Sequence, residues 1–215
     1  MSDAGKSCPV ALRRGATALP PHAPGLRVGL LGGTFNPAHE GHRLASLTAL
    51  KRLGLDAVWW LVTPGNPLKD NAGLPSLAYR VQQAQAVACH PAIKVTGVEA
   101  ALRTRHTART LRVLIARCPR VRFVWLMGAD NLTQFHRWRD WRTIAALMPI
   151  GVIDRPGSTH QASRSRAAIA LGRWRLDERD GLLLPTEPAP AWMLIHGPLS
   201  PVSSTALREI GDRQN

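Results

Sequence analysis

The chain has 215 residues, 45% of them hydrophobic and 20% charged, which is enough for one domain with its own core. This composition excludes disorder or a collagen-like repeat as the main state. Lys and Arg number 28 against 14 Asp and Glu, a formal charge of +14, so the field of the protein draws anions: nucleotides, phosphorylated metabolites or nucleic acid.

The longest apolar runs, such as Val58-Trp59-Trp60-Leu61-Val62, fall far short of a membrane span, and no membrane partner is expected. Cys8, Cys89 and Cys118 are widely spaced and lack a CxxC pairing, which argues against a disulfide framework or a Cys-rich zinc site and fits a cytoplasmic protein. Residues 1–25 carry Lys6, Arg13, Arg14, Pro20, Pro21 and Pro24 without a continuous apolar stretch. They read as a flexible N-terminal tail, with a transit peptide as the alternative. Residues 26–215 read as a single domain, for which a homo-oligomeric state is left open.

From residue 26 two textures alternate. Short apolar, β-branched runs at Leu26–Leu31, Ala57–Val62, Ile93–Val98, Val121–Met127, Ile150–Ile153 and Trp192–Ile195 predict strands. Between them, helical spacing is expected over His42–Leu53, Leu77–Ala88, Thr107–Arg117, Trp138–Leu147 and Ser163–Leu171, with a last helix starting near Ser204. Strands alternating with helices imply right-handed crossovers: an α/β, doubly wound, mainly parallel sheet with helices on both faces. Ligands in such sheets bind beyond the carboxyl ends of the strands, so the strand exits are where chemistry is sought.

The first exit, Gly32-Gly33-Thr34-Phe35-Asn36-Pro37-Ala38-His39-Glu40-Gly41-His42, is the richest. Glycines at a strand end let an anion approach the backbone. His39 and His42, three residues apart, fall on one side of a first helical turn, where free amides and the helix dipole already favour negative charge. A capping or solvated histidine is the plainer reading; a zinc site lacks a third ligand at ordinary spacing. The stretch is neither a Walker loop nor a GxGxxG turn.

These residues resemble the signature of the HxGH nucleotidyltransferase superfamily. Further exits narrow the resemblance to the bacterial nicotinate-nucleotide adenylyltransferases. Asn66-Pro67-Leu68-Lys69 is similar to their Asn-x-Pro-x-Lys loop, with Gly65 where a polar residue is common. Thr107, Thr110 and Leu111 match a Tyr-Thr-x-x-Thr-Leu pattern in which His106 replaces the tyrosine; Thr107 is also a plausible helix N-cap, and Arg109 and Arg112 read as a solvated basic face. Gly128-Ala129-Asp130 with Trp138 resembles the Gly-x-Asp segment and aromatic helix, and Trp141 is assigned to the core. Arg155-Pro156-Gly157 and Ser203-Ser204-Thr205-x-x-Arg208 complete the likeness.

The resemblance implies transfer of AMP from ATP to nicotinate mononucleotide, giving deamido-NAD and pyrophosphate in NAD biosynthesis. It implies ATP contacts from Gly32, Gly33, Thr34, Phe35, His39, His42, Gly128, Asp130, Ser203, Ser204, Thr205 and Arg208. The acceptor nucleotide would meet Asn36, Asn66, Lys69, Thr107, Trp138 and Arg155. His39, His42, Lys69 and Arg208 would stabilise the reacting phosphates, and Mg²⁺ would ride on ATP with no metal ligands from the protein. Other HxGH adenylyl- or cytidylyltransferases, with nicotinamide mononucleotide or phosphopantetheine as acceptor, are the near alternatives. A non-enzymatic RNA-binding protein, suggested by the charge and seven Trp, is the distant one, and no nucleic-acid partner is expected.

Overall fold

A computed structural model describes residues 17–65, 71–104, 106–154 and 159–197. It contains a six-stranded sheet in the order β3-β2-β1-β4-β5-β6. The strands are β1 (Arg27–Gly33), β2 (Ala57–Val62), β3 (Ile93–Thr96), β4 (Arg122–Gly128), β5 (Ile150–Ile153) and β6 (Trp192–Ile195), and every pairing is parallel. This is the Rossmann-like, doubly wound architecture expected from the alternation of elements. The order reverses between β1 and β4, so the carboxyl ends of those two strands form the switch-point crevice.

Strand side chains alternate between two cores. Val28, Leu30, Trp59, Leu61, Phe123, Trp125 and Met127 enter one; Leu31, Val58, Trp60, Val62, Val124 and Leu126 enter the other. The first core is covered through Leu111 and Leu114 of α4 (Thr107–Arg117), Leu132 of α5 (Ala129–Gln134), Ile144 of α6 (Trp141–Leu147) and Ala167 of α8 (Arg166–Ala170). The second is covered through Ala49 of α1 (Glu40–Arg52), Val81 and Ala84 of α2 (Leu77–Ala88), and Leu184 of the 3-10 helix Glu178–Thr186. Burial on both sides is why these strands carry nearly unbroken apolar runs.

Four departures from the predicted elements have local causes. The third strand stops at Thr96, its last partner being Leu61, and Val98–Ala101 forms the short helix α3. The helix expected over Trp138–Leu147 begins only at Trp141: Trp138 is extended (φ −71°, ψ 137°) after a 3-10 turn, and Asp140 is left-handed (φ 57°). The segment Ser163–Leu171 divides between α7 (Thr159–Ser163) and α8, because Ser165 caps a new helix by accepting from the Ala168 amide. The end of the expected tail is attached to the domain: Thr96 Oγ1 donates to Ala18 O at 2.7 Å, Leu19 packs on the first core, and His22 meets Trp59 edge-on.

Candidate active site

The turn leaving β1 is built around two tight fits. A Cβ on Gly32 would stand 2.6 Å from Cη2 of Trp125, so that glycine makes room for an indole of the neighbouring strand. The side-chain space at Gly32 is taken by Trp125. Phe35 has a positive φ of 48°, and its ring is buried, stacked on Trp60 at 5.0 Å and lying 4.7 Å from His42. The expected ATP contact from Phe35 therefore cannot come from its ring, which serves as a floor under His42. The peptide bond between Asn36 and Pro37 is cis.

His39 is the N-cap of α1, with its Nδ1 accepting from the Gly41 amide at 3.1 Å. His42 returns the interaction, its Nδ1 accepting from the His39 amide at 3.3 Å. An imidazole nitrogen that accepts from a backbone N–H carries no proton, so the neutral tautomer of each ring bears its hydrogen on Nε2. The ring centroids are 3.9 Å apart. Two Nε2–H donors thus stand together at a helix N-terminus, where the first-turn amides and dipole also attract anions. Capping occupies Nδ1 of each ring.

On the neighbouring strand, Gly128 ends β4 and is the N-cap residue of α5, and Asp130 is exposed in the first turn. Since Leu31 pairs with Leu126, the glycine turn and the Gly128-Ala129-Asp130 segment leave adjacent strands on the same edge of the sheet. Trp138 is half-buried, its ring edge-on to Phe135 and Trp125 at 5.5 and 6.3 Å. Trp141 is buried in the first core, as expected.

Thr107 is the first residue of α4 and not its cap. The cap position is His106 (φ −107°, ψ 116°), which makes no side-chain cap bond; its own amide is held by the Thr104 hydroxyl at 3.1 Å. Arg109 and Arg112 are exposed. Asn66, Lys69, Arg155, Ser203, Ser204, Thr205 and Arg208 lie outside the described residues.

Two charged groups, Arg80 and Glu99, are buried without any sequence mark of that burial. Arg80 is 2% exposed, and among the described residues its guanidinium donates only to main-chain carbonyls: Pro75 through Nε at 2.9 Å, Thr34 and Thr63 through Nη1 at 2.7 and 2.8 Å, and Pro64 through Nη2 at 3.3 Å. Burial lowers its pKa from the ordinary arginine value. Glu99, in α3, accepts from Thr110 Oγ1 at 2.8 Å and lies beside the Thr63 side chain, whose hydroxyl donates to Gly65 O at 3.1 Å; burial pushes its carboxyl up, against the opposing effect of the two threonines. An arginine on a helix face carries no sequence mark of inward direction. Glu99 was visible only as a carboxylate near a strand exit.

Among the described residues no helix is long and apolar enough to cross a membrane, and no three His, Cys, Asp or Glu side chains cluster closely enough to hold a metal ion. The cytidylyltransferase-like family model matches residues 30–210. A Methylorubrum extorquens protein named "probable nicotinate-nucleotide adenylyltransferase" is 57% identical over 85% of this chain and 99% of its own length. A Rhizobium meliloti protein of the same name is 56% identical over 85% of this chain and 97% of its own. The chain belongs to the cytidylyltransferase-like family, among its nicotinate-nucleotide adenylyltransferases. The fold agrees with that of the Plasmodium falciparum nicotinic acid mononucleotide adenylyltransferase solved with NaAD, at a TM-score of 0.60 and 16% identity, covering 88% of this chain and 89% of that one. The enzyme is therefore a nucleotidyltransferase of NAD biosynthesis.

Proposed function

We propose that the enzyme transfers AMP from ATP to nicotinate mononucleotide, giving nicotinate adenine dinucleotide and pyrophosphate, in the cytoplasm. One observation carries the chemistry: the neighbouring His39 and His42 imidazoles, each with Nδ1 engaged in capping α1, at the switch point of the sheet. Relatives named probable nicotinate-nucleotide adenylyltransferases, 57% and 56% identical over 183 aligned residues, support the choice of acceptor.

In this reading an oxygen of the acceptor's phosphate attacks the α-phosphorus of ATP. A P–O bond forms as the bond to the bridging oxygen breaks, and pyrophosphate leaves. The attacking phosphate is ionised near neutral pH, so no general base is needed. The work of the protein is alignment of two polyanions and stabilisation of the charge that develops. His39 and His42 donate from Nε2 to the triphosphate, with Gly33, Thr34 and Gly128 lining the approach through their backbone. Asp130, in the first turn of α5, accepts from ribose hydroxyls. Trp138 and Thr107 bind the pyridine nucleotide, Trp138 by stacking and Thr107 from the first turn of α4. Lys69 and Arg208 supply positive charge to the reacting phosphates, while Asn36, Asn66 and Arg155 complete the acceptor subsite and Ser203, Ser204 and Thr205 the ATP subsite.

In this reading the metal arrives with its nucleotide, held by the triphosphate and water. Bound to the triphosphate, Mg²⁺ would neutralise charge on the leaving pyrophosphate.

Pyrophosphate release tests the assignment. With Mg²⁺, ATP and nicotinate mononucleotide should be turned over faster than ATP with nicotinamide mononucleotide, and CTP should be a poor donor. Preference for CTP, or for phosphopantetheine as acceptor, overturns it.

A further inference from the structure

We propose that Arg80 is a positioning residue for adenylyl transfer: from α2 it fixes the turns that leave β1 and β2, and through the first of them the imidazole pair. The inference rests on reading the His39/His42 turn as the triphosphate site.

The β1–β2 ladder ends with Val62 opposite Gly33 and a last bond from the Thr63 amide to Gly33 O at 2.9 Å. Immediately past that point the two backbones part, β1 into the Phe35 turn with its positive φ and β2 into Pro64-Gly65. The Arg80 guanidinium takes over where the ladder stops. Its Nη1 joins Thr34 O to Thr63 O, the first carbonyls beyond the sheet, and its other nitrogens reach Pro64 O and Pro75 O. Among the described residues no carboxylate forms an ion pair with it.

A buried cation held by carbonyls is a poor choice for stability alone, since apolar packing avoids its desolvation. It is a good choice for geometry. A planar fork of donors demands that several acceptors converge at fixed angles, which a lysine ammonium does not. The path to the chemistry is short: Thr34 is bonded to Phe35, and the Phe35 ring lies under His42. The other end of the clamp is anchored too, because the Thr63 side chain meets Glu99, which also holds Thr110 of α4. Three strand exits are thereby tied to one another beneath the crevice.

The test is Arg80→Lys, which keeps the charge and loses the fork, together with the neutral Arg80→Gln. Turnover is measured well below the melting temperature of each variant, using whichever acceptor the wild type consumes. Leu171→Ala, a core truncation on the far side of the sheet, serves as a control for lost stability. Arg80→Lys should lower kcat at least tenfold with KM for each substrate within about threefold, while Leu171→Ala melts earlier and keeps its kcat. Near-normal kcat in either Arg80 variant reduces the residue to a staple and overturns the proposal, as does failure of both to fold. A wild type that consumes a different acceptor would contradict the reaction assigned above and leave this experiment intact.

Discussion

His39 and His42 cap one another: each imidazole accepts a backbone N–H of the α1 terminus through Nδ1, with ring centroids 3.9 Å apart. The bonds that build the helix start also set which nitrogen of each ring can donate. Structure and chemistry at these two residues can be separated by substitution. Asparagine is an excellent N-cap, so His39→Asn should keep α1 and shift the melting temperature little. It removes the Nε2 donor, and turnover should fall by about a hundredfold, the usual cost of one preorganised donor to a transition-state oxyanion. Melting curves and steady-state kinetics on the one variant check both halves.

His42→Ala should lower turnover by about two or more orders of magnitude. The loss of an acceptor for the His39 amide at the α1 N-terminus costs about 1 kcal/mol of stability, so the fold survives. Circular dichroism of the variant alongside pyrophosphate release shows whether the defect is chemical.

The two tryptophans after α5 should respond differently. Trp141 is buried among Phe135 and its neighbours, so Trp141→Ala should destabilise by about 3–5 kcal/mol, read from denaturant unfolding. Trp138 is half-buried, and Trp138→Ala should chiefly raise KM for the pyridine nucleotide. An effect confined to ATP would contradict its stacking role.

Gly32→Ala places a methyl 2.6 Å from Trp125, with no room in a well-packed strand pair. It should cost about 1–3 kcal/mol through displacement of the indole. Thermal unfolding measures it.

Glu99 gives a pH-dependent signature. Burial raises its folded pKa above the ordinary 4.5, so its contribution to stability is fully present below that value and is lost as pH rises through the folded pKa. Glu99→Gln keeps an acceptor for Thr110 and removes the charge. The melting temperature of the variant relative to wild type should therefore be more favourable at pH 7.5 than at pH 4.5, as scanning calorimetry at the two values would record.

Much of this was legible in sequence because parallel strands buried on two faces advertise themselves. β2, β5 and β6, with α2 and α4, begin and end where the apolar runs and helical spacing put them. Errors came where one residue's backbone redirects the chain. Asp140, left-handed, starts α6 late, and Trp138–Leu147 has helical spacing in sequence without being one helix. Val98 looks like strand by composition, yet its partner strand offers no register beyond Leu61. The His39/Gly41/His42 motif was readable because its chemistry is local. Arg80 and Glu99 were not, since what makes them important is carbonyls and hydroxyls delivered by other strands.

The central claim is that His39 and His42 present Nε2 to a triphosphate at the sheet's switch point. A crystal soaked with a non-hydrolysable ATP analogue and Mg²⁺ tests it most directly. The account predicts phosphate oxygens within hydrogen-bonding distance of both Nε2 atoms, with the adenosine running toward the β4 exit. A triphosphate bound elsewhere, with the two rings facing solvent or protein, would contradict it.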